Sequence, residues 1–305
     1  MKRKPHDPRR CCDQPHKVLQ RTLNRVKELT FYNALDLDNW KFRRARLTAP
    51  HTYEPIDKTW RTIKLGDNWG GHQITGFFQR DIVLPSEFAG QDVMLDIFLD
   101  GGEAQLKVNG HPWQGLDWNR SLVPLKSPAR KGDRFKLEIE AFVINYPYDG
   151  WRNDERDQHI FQRARLVCRD KELEEFYRDA QLAMDVYINY WETDDNIELE
   201  RLILTSLQIA CKGIDLYETD RAVFRKQVKQ ARVLLRQLLY DNPAFRHDGR
   251  VSLCANSHLD IIYLWPIKET FRKNCRTATN MLSLMREFPD YKFTQSQPFM
   301  YKALK

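Results

Sequence analysis

Hydrophobic side chains alternate with polar ones along much of the first half of the chain, and this alternation limits the folds open to it. Between Phe135 and Val143, apolar residues occupy every second position and Lys136, Glu138 and Glu140 lie between them. Successive side chains of a strand project to opposite faces, so this period predicts a strand with one buried face.

Further strands are predicted at residues 60–65, 76–84, 92–99, 103–108 and 160–167. The strands at 92–99 and 103–108 are expected to form a hairpin around Asp100–Gly102. Short antiparallel strands at this spacing predict a β-sandwich of jelly-roll type over residues 59–169.

The period becomes helical beyond Arg169. Helices are predicted at 171–191, at 196–213 with Gly213 as C-cap, and from an N-cap at Thr219 to Tyr240. We interpret residues 170–248 as a helical connector without visible chemistry.

Before the sandwich, residues 17–58 are expected to form an amphipathic helix (17–29) and an ordered connection. Residues 1–16, which are basic and contain three prolines, are predicted to be a disordered tail.

A second kind of sheet is predicted near the end of the chain, over residues 249–305. After the turn signal His247–Gly249, the apolar run 251–255 predicts a buried strand. A helix from Pro266 to about 289, a strand at 292–297 and a helix from Pro298 then follow. Strand, helix, strand, helix is the opening of a parallel α/β barrel, here incomplete. The expected architecture is therefore multidomain: a sandwich, a helical connector and the start of a barrel.

His258 and Asp260 follow this strand and are two residues apart. In an extended backbone their side chains project to the same side and can meet at one point. An imidazole beside a carboxylate at the end of a strand suits a divalent metal, above all zinc. Taken alone, such a pair is more often a structural hydrogen bond at a strand end.

Charge and hydropathy narrow the class of protein. A net charge of +7 and a pI of about 9.0 raise nucleic acid as a partner, but basic residues mostly alternate with acidic ones. The face Arg221, Arg225, Lys226, Lys229 and Arg232 is interpreted as a solvated helix surface. No apolar run approaches the roughly 20 residues of a membrane span, and no secretory signal is visible. The six cysteines show no framework, which is typical of reduced thiols in a cytoplasmic protein.

Several motifs place the chain near a known family. Asn256–Asp260, Tyr263–Pro266, Glu269–Thr270, Arg272–Lys273 and the sequence from Arg276 to Tyr301 resemble the start of the catalytic domain of family 38 α-mannosidases. The resemblance is to the cytosolic and vacuolar branch. The phrases Gly76–Phe78, Gly101–Ala104, Val108–Gly110, Gly115–Asp117 and Asn119–Arg120 resemble the N-terminal β-domain of the same branch.

The resemblance implies a zinc-dependent, retaining exo-α-mannosidase acting on α-mannosides and oligosaccharides. It implies that His258 and Asp260 are zinc ligands and that Tyr263, where the family usually has Trp, lines the mannose subsite. Cys254–Ala255 also departs from the usual sequence before Asn256. The remaining two ligands, the nucleophile and the acid/base residue would lie beyond Lys305. We therefore expect no catalytic residue in this chain, half a Zn²⁺ site, and no activity from the polypeptide alone, which would be an N-terminal fragment. A homo-oligomer is expected only for the full-length enzyme.

Two other classes remain as alternatives. In the first, the sandwich is a carbohydrate-binding or interaction module without catalysis, with loop tryptophans either stacking on sugars or packing in the core. The tryptophans concerned are Trp60, Trp69, Trp113, Trp118 and Trp151. Asp117 and Arg120 are expected to contribute to an interface with the catalytic domain. In the second class, ranked far behind, the chain is a basic nucleic-acid-binding protein. We expect neither a nucleic-acid nor a membrane partner.

Overall fold

A computed structural model describes residues 15–100, 102–143, 158–193, 195–243, 251–263 and 265–304. The chain divides into two compact units: Asn33–Cys168 with Val251–Lys305, and Met1–Tyr32 with Arg169–Arg250. The predicted disordered tail, apart from its last two residues, and the predicted turn at 247–249 lie outside the described residues. No described helix is long and apolar enough to cross a membrane.

The first unit is built on a two-layer antiparallel sandwich, as the alternating pattern predicts. Its strands are β1 (Phe31–Asp36), β2 (Trp40–Ala49), β3 (Thr52–Pro55), β4 (Arg61–Ile63), β5 (Asn68–Gly70), β6 (Thr75–Val83), β7 (Val93–Leu99), β8 (Glu103–Val108), β9 (His111–Leu116), β10 (Leu122–Lys126), β11 (Arg134–Phe142) and β12 (His159–Arg169). One sheet has the order β1-β12-β7-β10, with β5 beside β12. The other has the order β3-β2-β6-β11-β8-β9, with β4 beside β2.

The core lies between the two sheets and is rich in aromatic rings. Trp40, Phe42, Trp69, Phe78 and Phe161 are fully buried. Phe78 meets the rings of Phe42, Trp69 and Phe161 in tilted or edge-to-face contacts, and Phe161 also meets Trp40 edge-to-face. Such geometry adds to the free energy gained from burying large apolar surfaces.

The segment at residues 30–58 forms three strands rather than a connection. In β2 the buried side chains are Trp40, Phe42, Ala45 and Leu47, so the alternation changes phase between Phe42 and Ala45. At this point the Arg44 side chain binds Asp57 through Nε and Nη2, at 3.0 and 2.9 Å. The phase change breaks the period of two, and this is why the sequence pattern did not reveal the strand.

The hairpin predicted around Asp100–Gly102 is wrong, because β7 and β8 belong to opposite sheets. A Cβ atom on Gly102 would come within 2.8 Å of the Trp69 ring, so this glycine allows a close approach in the core rather than a tight turn. The hairpin of this region joins β8 to β9 through Asn109 and Gly110. Both residues have positive φ, as a two-residue turn of this kind requires. Gly101 lies outside the described residues.

The second unit is a helical bundle. It contains α1 (Pro15–Thr30), α2 (Lys171–Thr193), α3 (Ile197–Cys211) and α4 (Arg221–Leu235), which continues as a π-helical turn over Arg236–Tyr240. The apolar stripe of α1, with Leu19, Leu23 and Val26, packs into one core with α2, α3 and α4. The predicted amphipathic helix at the N-terminus thus belongs to the same bundle as the predicted connector.

The basic face of α4 is ion-paired with acidic residues on and just before α2. Arg221 and Arg225 bind Asp170 at 3.1 and 3.2 Å, and Arg232 binds Asp179 at 3.0 Å. This alternation of charge neutralises much of the basic stripe that the sequence displays, and it leaves less free positive charge on α4 for a polyanion.

The N-cap of α4 is Asp220 and not the predicted Thr219. The Asp220 side chain accepts hydrogen bonds from the backbone N–H groups of Ala222 and Val223 at 2.8 and 3.2 Å. We expect Asp220→Ala to lower the free energy of unfolding of the helical unit by about 1 kcal/mol, because two backbone donors lose their partner. Thr219→Ala, the matched control, is expected to change it little. Chemical denaturation followed by helical circular dichroism measures both; equal effects would contradict the assignment of the cap.

Residues 251–304 return to the first unit as a β–α–β–α segment. It consists of β13 (Ala255–Asn256), α5 (Ile267–Glu287), β14 (Phe293–Thr294) and α6 (Pro298–Lys302). β13 and β14 pair in parallel, with Ala255 opposite Phe293. This arrangement agrees with the predicted opening of an α/β barrel.

Candidate functional site

The predicted pair of metal-binding side chains meets in the structure. His258 and Asp260 follow β13, and the His258 Nε2 atom lies 3.0 Å from the Asp260 Oδ1 atom. The two side chains are 77% and 42% exposed, so a ligand can reach both. The sequence argument for convergence is therefore confirmed in geometry, and a simple hydrogen bond accounts for the contact as it stands.

The strand before this pair is shorter than predicted and is not buried. β13 covers two residues, and Val251 and Leu253, predicted to lie in a buried strand, are 85% and 86% exposed. A parallel strand is buried when neighbouring strands flank it and helices cover both faces. Within the described residues β13 pairs with β14 alone, so the apolar run has no layer to pack against.

Tyr263, the predicted sugar-stacking residue, is 66% exposed in the same loop. Its ring meets Trp265 edge-to-face, with 6.0 Å between centroids. Much of the side chain is therefore available to solvent, while the edge-to-face contact restrains the ring. The geometry is compatible with a stacking role.

The donor atoms fit part of a zinc site. Imidazole nitrogen and carboxylate oxygen are both zinc ligands, and two such donors on one tetrahedral ion lie about 3.4 Å apart, given metal–ligand distances of about 2.1 Å. The observed 3.0 Å needs only a small adjustment of either side chain. Within residues 251–263 and 265–304, as in the rest of the described chain, no group of three His, Cys, Asp or Glu residues is positioned to hold a metal. The residues present thus amount to half of a donor set.

Helix α5 connects this loop to the sandwich through a buried polar face. The buried side chains of α5 are Glu269, Thr270, Arg272, Asn274, Arg276, Thr279 and Ser283. Most of them contact strands of the sandwich, while apolar residues such as Leu282 are exposed. A helix normally buries its apolar face, so this one is held by hydrogen bonds and ion pairs instead.

Arg272 is the centre of this network. Its guanidinium binds Glu269 on its own helix, Glu140 of β11 at 3.2 Å and the Thr75 hydroxyl at 2.9 Å, and lies 3.8 Å from the centroid of the Phe142 ring. Burial by itself lowers the pKa of Arg272, but the hydrogen bond to Glu269 and the surrounding carboxylates outweigh it and raise the pKa. Arg272 is therefore charged, and its positive charge is compensated by carboxylates within the fold.

A second group of ion pairs lies around Glu103 of β8. This carboxylate binds Lys273 at 2.9 Å and is also ion-paired with Arg276. Burial lowers the pKa of both cations, against the opposing charge of Glu103. The pairs anchor α5 to the strand that follows Gly102.

Strand β9 holds the C-terminal half of α5. The Gly115 N–H donates to Asn280 Oδ1 at 2.9 Å, and Ser283 donates to the Gln114 side chain at 3.0 Å. A Cβ atom on Gly115 would lie 3.0 Å from the Arg276 Cβ atom, so glycine permits the close approach of helix and strand.

Sequence reasoning did not identify this interface as a whole. In the sequence, Arg272, Lys273 and Arg276 were noted only as positions that resemble the family. Glu103 was noted only within one resembling segment, and Glu140 only as a polar residue of a predicted strand. The signal was present in the polar residues at 269, 272, 276, 279 and 283, whose spacing of three and four defines one helix face. Asp117 and Arg120, expected at the interface, lie in the turn after β9, where Asp117 accepts from the Asn119 N–H at 2.7 Å.

The loop tryptophans separate into different environments. Trp69 is fully buried in the sandwich core, and Trp113 is half-buried, donating its indole N–H to the Pro124 carbonyl at 2.8 Å. Trp60 lies under the Arg43 guanidinium, and Trp118 is 62% exposed. Trp151 lies outside the described residues. Core packing therefore accounts for Trp69, while Trp118 keeps an accessible ring.

Two family models match the chain. Residues 33–166 match the jelly roll domain of α-mannosidases, and residues 248–304 match the N-terminal domain of glycosyl hydrolases family 38. The first match begins at Asn33, where the compact unit also begins. It includes the strands at 33–58 that the sequence pattern did not reveal.

Individual relatives agree with the family models. The chain is 22% identical over 262 residues to α-mannosidase G of Dictyostelium discoideum, covering 83% of this chain and 23% of that protein. It is 25% identical over 265 residues to human α-mannosidase 2C1, covering 80% of this chain and 23% of that protein. The chain thus spans about a quarter of the length of these relatives. A solved β-glucuronidase 2 of Bacteroides uniformis shares 16% identity, covering 45% of this chain and 18% of that one with a TM-score of 0.34, too low to bear on function.

The jelly-roll sandwich and the β–α–β segment each match a domain found in proteins of the glycoside hydrolase class. More specifically, both matched domains are domains of α-mannosidases, and the second is the N-terminal domain of family 38.

Proposed function

We propose that this chain forms the amino-terminal part of a zinc-dependent, retaining α-mannosidase that hydrolyses terminal α-D-mannosides in the breakdown of mannose-containing oligosaccharides. The observation that carries the proposal is the meeting of His258 Nε2 and Asp260 Oδ1, 3.0 Å apart and exposed, at the end of a parallel strand in a segment that matches the family 38 catalytic domain.

His258 and Asp260 would hold the metal through one nitrogen and one oxygen. Zinc, when bound, supplies a Lewis acid that binds sugar oxygens and favours charge development at the reacting carbon. The chain's own residues would orient the sugar: Tyr263 follows Asp260 by three positions, and its edge-to-face contact with Trp265 restrains the ring. Cytoplasmic localisation, the lack of a nucleic-acid partner and oligomerisation of the longer enzyme stay predictions.

We expect the 305-residue polypeptide by itself not to release the aglycone from an aryl α-mannoside. The described residues offer two metal donors where a catalytic zinc site uses three protein ligands or more. The assay compares the purified chain with and without added Zn²⁺. Zinc-dependent turnover by this chain, removed by a chelator, would contradict the expectation.

The metal site has a separate test. Titration with Co²⁺, followed by nuclear magnetic resonance of the histidine rings, is expected to broaden the His258 signal first, because its Nε2 atom faces a second donor. His258→Ala assigns the signal, and exposed His111 in the β8–β9 hairpin serves as the control. Equal broadening at both rings would mean that the pair has no preference for a metal. Reading the coding sequence past codon 305 then shows whether an Asp and a His follow to complete the donor set.

One observation favours a second candidate, a sandwich that binds carbohydrate without catalysis. Trp118 is 62% exposed and lies in the polar sequence Asp117–Arg120, whose residue types suit a sugar. This function requires mannoside binding that survives a chelator and is lost in Trp118→Ala. Calorimetry with methyl α-mannoside distinguishes it from zinc-dependent binding, which the chelator would remove.

A further inference from the structure

The loop that carries His258, Asp260 and Tyr263 is fastened to helix α5 at two points. The Thr270 hydroxyl donates to the Ile261 carbonyl, one residue after Asp260. The same hydroxyl accepts the indole N–H of Trp265 at 3.2 Å. Thr270 is fully buried, so a single side chain of α5 ties the loop on both sides of Tyr263.

Lys273 lies one helical turn beyond Thr270, on the same face of α5. Its Nζ atom lies 4.6 Å from the centroid of the Trp265 ring, within the range of a cation–π interaction. The same atom lies 2.9 and 3.2 Å from the two carboxylate oxygens of Glu103. The ammonium therefore has a carboxylate of the sandwich and a ring of the loop as simultaneous partners.

Contacts other than the one with Lys273 hold Glu103 in position. It belongs to β8, which is paired on both sides, with β11 and with β9. Arg276 also binds its carboxylate, so the position of Glu103 does not depend on Lys273 alone. A continuous series of contacts thus runs from the sandwich through Lys273 to Trp265, and from Trp265 by ring contact to Tyr263.

We propose that Lys273 is a positioning residue through which Glu103 of the sandwich sets the placement of Trp265, and with it the loop of His258, Asp260 and Tyr263. The sandwich then has a role in the site through its contacts with α5. The inference rests on the proposed function only in taking this loop to carry the zinc- and sugar-facing side chains.

The test uses the 305-residue chain labelled with 5-fluorotryptophan, without metal or sugar. Trp265→Phe assigns the Trp265 fluorine signal, and His258→Ala assigns the His258 ring signal. Lys273→Met is expected to shift both signals. Glu103→Gln is expected to shift the Trp265 signal in the same direction, although Glu103 does not touch Trp265. Lys273→Arg, which can pair with a carboxylate and stack on an indole, is expected to return both signals towards the wild type.

Lys268→Met is the matched control. Lys268 also joins α5 to the sandwich, but its ammonium donates to the Leu47 carbonyl at 2.8 Å rather than binding Glu103 and Trp265. We expect this variant to leave the Trp265 and His258 signals in place. Equal shifts in Lys268→Met would mean general loosening of α5 and would overturn the proposal, as would an unshifted Trp265 signal in Glu103→Gln.

The same spectra distinguish the unfolding of a variant from a displacement of the loop. The fluorine signals of the core tryptophans Trp40 and Trp69 report whether a variant is folded, and Glu103→Gln and Lys273→Arg carry the test if Lys273→Met unfolds. Because no metal or sugar is present, failure of the Co²⁺ and mannosidase experiments leaves this result unaffected. An unmoved loop, in turn, leaves the mannosidase proposal intact.

Discussion

Arg272→Met is expected to lower the free energy of unfolding of the sandwich unit by about 3–5 kcal/mol. Arg272 and its partner Glu269 are only 7% and 8% exposed, and Glu140 is a second partner. Methionine fills much of the volume but removes the positive charge. Glu269 is then left buried without a counter-charge, and the loss of one member of a buried ion pair is far more damaging than the net value of the pair.

Urea unfolding followed by tryptophan fluorescence measures this effect. Of the eight tryptophans only Trp191 lies in the helical unit, so the signal reports mainly on the sandwich. Lys136→Met is the control, because Lys136 pairs with Glu138 on the surface at 3.2 Å and such pairs contribute less than about 1 kcal/mol. The double variant Arg272→Met with Glu269→Leu is expected to recover part of the loss. Equal losses in Arg272→Met and Lys136→Met would show that α5 is not held by its buried charges.

Trp69→Ala is expected to lower the same free energy by about 3–5 kcal/mol, the usual cost of removing a large aromatic side chain from a core. The ring is fully buried, meets Phe78 edge-to-face with 6.0 Å between centroids, and fills the space that Gly76 and Gly102 leave open. Its truncation leaves a cavity between the sheets that rigid neighbours cannot close.

Trp118→Ala provides the comparison in the same assay. This ring is largely exposed, and its removal is expected to cost much less than that of Trp69. The contrast separates two tryptophans that are similar in sequence, each beside a turn and an Asp or Asn. A large loss from Trp118 and a small one from Trp69 would reverse the assignment of core and surface.

The two sets of functional residues differ in how far the sequence could reveal them. His258 and Asp260 are two positions apart, and the alternation of side chains along an extended backbone is a local property, so their meeting was predictable. Glu103 and Lys273 are 170 positions apart, and their contact depends on how α5 lies against the sandwich. No local pattern contains that information.

The same distinction applies to the strands. β11 was predictable because it pairs with β6 without a bulge along its whole length, so Leu137, Ile139 and Ala141 stay on one buried face and the period of two is preserved. β2 was not predictable, because its alternation of buried and exposed side chains shifts by one residue around Arg44. At that point Arg44 pairs with Asp57, which lies outside the strand.

By itself, the sequence determined the kinds of elements: the antiparallel sandwich, the helices before and after it, the parallel β–α–β segment and the local pairing of His258 with Asp260. The tertiary structure alone decided that β7 and β8 lie in opposite sheets, that α5 buries its polar face, and that Val251 and Leu253 remain exposed. The reason is physical. Periodicity records which face of an element avoids water, whereas pairing, charge compensation and burial depend on which distant segment covers that face.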